Sequence, residues 1–197
     1  MPKTAITKSA LASGLKELMK HKKLSKITVS DITTQCDISR NTFYYHFCDK
    51  YALVNWIFSS EALPIINTFS DPDCWLDGFV NLCKYLLKNR QFYLEAFEYV
   101  GQNSLKDYLL EFYFELIKTH IATYYAQYNF RLSLDDLYII ARMETHAYVG
   151  IILDWVKSGM RDNYMSYFEQ LKCVNLHFGA IFEPQLYERA SAVKGNL

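Results

Sequence analysis

Residues 26–54 read KITVSDITTQCDISRNTFYYHFCDKYALV, and their pattern decides the fold. Thr28 followed three residues later by Asp31 has the form of a capping box, so a helix is expected over 28–36, with Val29 and Ile32 facing inward. CDIS is turn chemistry, and Ser39 is a good N-cap for a third helix through His46. On that short helix Phe43 and Phe47 are four residues apart and share one face, which can pack inward. Asn41, Thr42 and Tyr45 fall on the opposite side, with Tyr44 and His46 flanking them. Two aromatics therefore anchor the helix, and a polar-tipped set is left facing out.

Upstream, Ile6, Ala10, Leu11, Leu15 and Leu18 recur near the helical period, giving a first helix over 4–21 that HKKLSK interrupts. Three short helices with a tight turn between the second and third outline a helix-turn-helix unit over 1–48. The remainder, 49–197, continues as helices over 50–67, 75–87, 92–100, 104–128, 133–157 and 163–182, bounded by Asp49, the SDPD loop, Gly101, Ser133, Gly159 and Pro184. No strand, repeat or low-complexity tract stands out. The expectation is an all-α chain of about nine helices in two parts.

Charge divides the chain at the same place. Residues 1–50 hold nine Lys/Arg against four Asp/Glu, net +5, whereas 51–197 hold twelve against seventeen, net −5. A basic head on an acidic body is what a protein meeting a polyanion carries, although a solvated helix face gives the same count. The five cysteines are scattered, odd in number and without CxxC spacing, which fits reduced thiols in a cytosol and argues against a zinc site. Neither a signal peptide nor a membrane-spanning run is visible, so a cytoplasmic protein is expected.

An exposed Asn, Thr, Tyr, Tyr and His set suits DNA. Hydroxyls and imidazole N–H groups donate to phosphates, and Asn pairs bidentately with adenine. The candidate DNA-binding set is Ser30, Ser39, Arg40, Asn41, Thr42, Tyr44, Tyr45, His46 and Lys50. Arg40 starts the helix within reach of a guanine edge, and Lys50 opens the next helix within reach of a phosphate.

The same stretch resembles the helix-turn-helix signature of the tetracycline-repressor (TetR) family of bacterial regulators, in its ITV-x-DI start, its T-aromatic-YYHF helix and the D-K-x-x-L that follows. The likeness covers roughly the first 55 residues. One departure is Asp37–Ile38, where the family often has Gly; Asp tolerates a left-handed backbone, so the turn is still expected. The resemblance implies a homodimer, a C-terminal ligand domain, and DNA contacts from the positions just named, Ser39 apart. YYHFCDKYALVNWIF more narrowly resembles the branch containing regulators of dihydroxyacetone kinase operons, which can act as activators with a partner protein.

Catalysis finds little support. The histidines at 120, 146 and 177 are isolated, and no HExxH, GxSxG, P-loop or dinucleotide fingerprint occurs, so neither enzyme activity nor a cofactor is expected. The apolar stripe of 104–128 reads first as core. Its hydroxyl-bearing members Tyr108, Tyr124 and Tyr128, with His120, Tyr148 and Trp155, are also candidates to line a ligand pocket. Helix 133–157 carries more apolar positions than one inward stripe needs: Ile139, Ile140, Met143, Ala147, Tyr148, Ile151 and Ile152. With Gly150 allowing close approach, and with Leu171, Val174, Phe178 and Phe182 on the last helix, they suggest a two-fold four-helix interface. The competing expectation is that both stripes face their own core. Input to the C-terminal part is either a small molecule or a docking protein.

Overall fold

The computed structural model describes residues 3–66, 75–127 and 132–161, together with positions 166 and 170. All regular structure among the described residues is helical: α1 Lys3–Met19, a 3₁₀ turn Leu24–Lys26, α2 Val29–Gln35, α3 Arg40–His46, α4 Lys50–Glu61, α5 Leu63–Ile66, α6 Trp75–Lys88, α7 Arg90–Glu98, α8 Leu105–Gln127 and α9 Leu134–Lys157. Of the expected last helix, 163–182, only positions 166 and 170 are described, both helical.

Local chemistry sets the ends of the N-terminal helices. Thr28 and Asp31 form the reciprocal capping box, Ser39 accepts from the Thr42 N–H, and Asp49 accepts from Ala52. Each satisfies a backbone donor that a helix start leaves orphaned. Between α2 and α3 the Ile38 N–H donates to Thr33 O at 2.9 Å and Asp37 N–H to Thr34 O at 3.3 Å, with Asp37 at φ 53°. This is a Schellman closure with Asp in the left-handed position that glycine usually takes. α1 and α2 lie very close, because a Cβ on Gly14 would meet the Cys36 sulfur at 2.2 Å, and the thiol donates to Ala10 O at 3.2 Å.

Leu11, Leu15, Ile32, Phe43, Phe47, Leu53 and Ile57 close the core of the head. Ile6 departs from the expected stripe: it is 57% exposed. The single helix expected over 50–67 is two helices. Pro64 has no N–H to offer the Ser60 carbonyl and its ring crowds that turn, so α4 stops at Glu61 and α5 restarts at Leu63. α7 begins at Arg90 and ends at Glu98, leaving Tyr99–Ser104 as a connecting loop.

In the C-terminal body α8 and α9 run along each other, with Phe79, Leu82 and Leu86 of α6 and Tyr93 of α7 in the shared core. Three groups of side chains tie this body to the head. The Tyr85 hydroxyl and Lys16 ammonium both donate to Glu61, at 2.8 and 2.6 Å, and Tyr93 donates to the Tyr85 oxygen at 2.9 Å. Gln91 donates to Met19 O at 3.3 Å, and Leu24 N–H to the Glu95 carboxylate at 3.2 Å. Asn103 reaches Asp49 at 2.8 Å.

Candidate nucleic-acid interface

The two faces of α3 divide as the spacing requires. Phe43 and Phe47 are buried, and Phe47 stacks edge-on to Trp56 of α4. Arg40, Asn41, Tyr44 and Tyr45 are exposed, Tyr45 at 82%, while Thr42 and His46 are half-buried. Neighbouring rings hold the aromatics upright: Tyr44 lies edge-on to Phe43 at 5.5 Å, and His46 edge-on to Tyr45 at 4.9 Å. The Arg40 guanidinium sits 6.0 Å from the Tyr44 ring, a cation–π placement that orders a long side chain at the helix start. Ser30 is exposed in the first turn of α2. The Ser39 oxygen is occupied by its cap and by the Thr42 hydroxyl at 2.8 Å.

Lys50 differs from the expectation of a phosphate contact. Its ammonium donates to Leu24 O and Ile27 O at 2.7 Å each and to Ser25 O at 3.3 Å. An ammonium has three N–H donors, and these carbonyls use all of them. Burial, and then the nearby Lys22 charge, lower its pKa. Lys50 thus pins the turn before α2 to the start of α4. Sequence spacing does not show this, because the carbonyls lie 23 and more residues away. Lys8, absent from the sequence-based set, holds its ammonium 5.5 Å from the Phe47 ring, beside the end of α3. Lys22 pairs with Asp31 at 2.7 Å, and with the Thr28 hydrogen bonds it pulls the Asp31 carboxyl down to about 2.

The expected pocket residues have different neighbours. Tyr108 is half-buried and edge-on to Phe58 of α4. With Glu111, Phe112, Glu115 and Leu116 it lines an open groove along α8. Tyr148 and Trp155 are buried, Tyr148 against Phe79 of α6. His120 is half-buried, and burial lowers its pKa. The side chain of Tyr124, and Tyr128 altogether, lie outside the described residues.

Tyr113, buried, and Glu144, half-buried, are two groups of this region that the sequence did not single out. The Tyr113 hydroxyl has no hydrogen-bond partner among the described residues, and burial raises its pKa. Burial likewise pushes the Glu144 carboxyl up to about 7.

On α9, Met143 is 53% exposed and Ala147 is exposed, beside exposed Leu134, Tyr138 and Ile139. Gly150 and Ile151 are half-buried, and nothing stands within 4 Å of a Cβ built on Gly150. Tyr148 and Ile152, counted with the surplus apolar positions, instead belong to the protomer's own core, because they share the turn-to-turn face of Ala141, Thr145 and Val149. Leu171, Val174, Phe178 and Phe182 lie outside the described residues.

A capped helix-turn-helix whose second helix is anchored by two phenylalanines and offers a polar outer face defines a DNA-binding transcriptional regulator. Comparison with known proteins gives the family. Residues 13–57 match the family model for bacterial regulatory proteins of the tetR family, and residues 73–174 match that for a transcriptional regulator C-terminal region. The chain belongs to the tetR family of bacterial regulatory proteins, whose members are regulators and not enzymes.

The HTH-type dhaKLM operon transcriptional activator DhaS of Lactococcus lactis subsp. lactis (strain IL1403) is 36% identical over 97 residues, 49% of this chain and 52% of that protein. The chain thus matches about half the length of this curated relative. The solved structure of the dihydroxyacetone kinase operon activator DhaS aligns with a TM-score of 0.66 at 26% identity, over 90% of this chain and 98% of that one. NalD of Pseudomonas aeruginosa, the secondary repressor of the MexAB-OprM multidrug efflux pump, aligns at 0.57 and 17% identity, over 87% and 94% of the two chains, a likeness of fold alone. Among the described residues no helix is long and apolar enough to cross a membrane.

Proposed function

We propose that the chain works in the cytoplasm as a homodimer on a two-fold DNA site, with residues 1–48 reading one half-site and residues 49–197 carrying the dimer contact and the control input. The observation that carries this reading is the outer face of α3, where Arg40, Asn41, Tyr44 and Tyr45 stand exposed over two buried phenylalanines. Asn41 and Arg40 address base edges; Thr42, Tyr44, Tyr45, His46 and Ser30 address phosphates, and Ser39 serves them by capping α3. Lys8 supplies a cation beside α3, and Lys50 shapes the turn that presents α2. One such head reads only a few base pairs, so specificity needs two. The exposed Leu134, Tyr138, Ile139 and Met143, with Ala147, Gly150 and Ile151, support α9 as the contact, completed by Leu171, Val174 and Phe178.

The control input in this reading is a small ligand inside the C-terminal body, supported by the unpartnered Tyr113 hydroxyl and the desolvated Glu144 carboxyl. Tyr108, His120, Tyr124, Tyr148 and Trp155 are its candidate lining. A second reading, a transcriptional activator set by a docking protein, is favoured by the activator names of both DhaS relatives and by the open apolar groove on α8. Selection from random duplexes tests the common core. A palindromic site should emerge, and its affinity should fall by roughly 10³-fold or more between about 50 and 200 mM salt as counterions are released. Recovery of no duplex, or salt-independent binding, refutes it.

A further inference from the structure

The loop between α7 and α8 grips the corner that follows α3. The Asn103 side-chain amide donates to Asp49 Oδ2 at 2.8 Å and to Cys48 Sγ at 3.5 Å, while the Asn103 backbone carbonyl accepts from Asn55 Nδ2 at 3.0 Å. The other Asp49 oxygen accepts from Ala52 N–H at 2.7 Å, the N-cap bond of α4. One carboxylate thus both starts α4 and receives the C-terminal body. Asn103 has φ 62°, a left-handed conformation that Asn adopts readily. Beside it Tyr99 lies flat on Tyr51, ring centroids 3.4 Å apart and planes within 4°. A Cβ on Gly101 would stand 2.3 Å from the Tyr99 hydroxyl, so this loop path suits glycine at 101. Cys48 and Asp49 come directly after Phe47, the C-cap residue of α3. The grip therefore acts at the end of the helix that presents the polar face, 54 residues away in sequence.

We propose that Asn103 is a positioning residue for DNA reading: it fixes the angle of α3 against the C-terminal body, and in the dimer it thereby fixes the spacing of half-sites that the two heads can span. The inference rests on the dimeric reading above. The head is rigid within itself, since Phe43 and Phe47 are sunk in its core. Its angle to the body is set by side chains that cross between them, and the bond to Asp49 joins the body to the residue between α3 and α4. A charge-assisted bond at that point resists rotation of the head more than a neutral one does. Loss of the bond leaves the half-site contacts intact and loosens the distance between heads, with the ties at Glu61, Gln91 and Glu95 still in place.

The test uses full-length protein and the duplex selected as above, with the spacer between half-sites shortened or lengthened by a base pair. Wild type should discriminate against altered spacers. Asn103→Gly keeps the left-handed backbone and removes the amide; Asn103→Asp sets two carboxylates face to face. Both should flatten the spacing preference by roughly tenfold, about one charge-assisted hydrogen bond, with unchanged base preference inside each half-site. The exchange Asn103→Asp with Asp49→Asn recreates a donor and an acceptor, retains an N-cap, and should restore the preference. Amide exchange over 47–53 should accelerate in the single variants and recover in the double. A spacing profile unaltered in folded Asn103→Gly and Asn103→Asp overturns the role of Asn103 alone, even where amide exchange changes. Wild type that selects no duplex overturns the reading of function, and this inference with it.

Discussion

Tyr85→Phe removes one oxygen from the middle of a chain of hydrogen bonds, and the consequence can be worked from its partners. Tyr93 donates to Tyr85 at 2.9 Å, and Tyr85 donates to Glu61 at 2.8 Å. Tyr93 is fully buried, and burial raises the pKa of both tyrosines, so neither gives up its proton readily. The substitution deletes a bond to a carboxylate, worth about 1.5–3 kcal/mol, and strands the Tyr93 hydroxyl, at a further cost of about 1–3 kcal/mol. A loss of about 3 kcal/mol is expected. Tyr93→Phe deletes only a neutral donor and leaves Tyr85 on Glu61, so about 1 kcal/mol is expected. The double variant has no stranded hydroxyl and should be no less stable than Tyr85→Phe alone. Lys16→Met should cost less than Tyr85→Phe, because the Lys16–Glu61 pair is 28% and 38% exposed and such pairs contribute below about 1 kcal/mol. Urea unfolding followed by circular dichroism measures all four. Equal losses for the two tyrosines, or additive losses in the double variant, refute the chain.

Asn41→Ala should relax base preference at one position by about 1–3 kcal/mol, whereas Tyr45→Phe should weaken all sequences alike; repeating the duplex selection with each variant distinguishes them. Glu144 has its pKa raised from the ordinary 4.5 to about 7, so the unfolded chain binds fewer protons between these values. Its contribution to stability should fall with rising pH across that window by at most about 3 kcal/mol, and Glu144→Gln should remove that contribution, seen as the difference from wild type in urea titrations at pH 5 and pH 8. Gly150→Glu meets nothing of its own protomer within 4 Å of the new Cβ. It should therefore give a folded monomer in sedimentation and weak binding to the selected site, and a variant that remains dimeric would exclude this face.

Short-range chemistry was legible without any structure. Thr28 with Asp31, Ser39 with Thr42, Asp49 with Ala52 and Ser133 with Asp136 are bonds over three residues, so the residue types and their spacing already specify them. Asp37 was legible as a left-handed turn residue for the same reason, and the two faces of α3 follow from helical period alone. Pro64 is as local a signal, and it divides the single helix expected over 50–67 into α4 and α5.

Tertiary packing decided what each outward-looking residue does. Lys50 reads as a free cation, yet it closes on carbonyls of the turn before α2, because α4 passes beneath that turn. Tyr148 and Ile152 read as surplus apolar surface, and packing against α6 and α8 turns them inward. Asn103 carries no pattern at all; only the fold brings it to Asp49. A bond over three residues is fixed by the local backbone, whereas a bond over 54 exists only once every intervening helix has found its place.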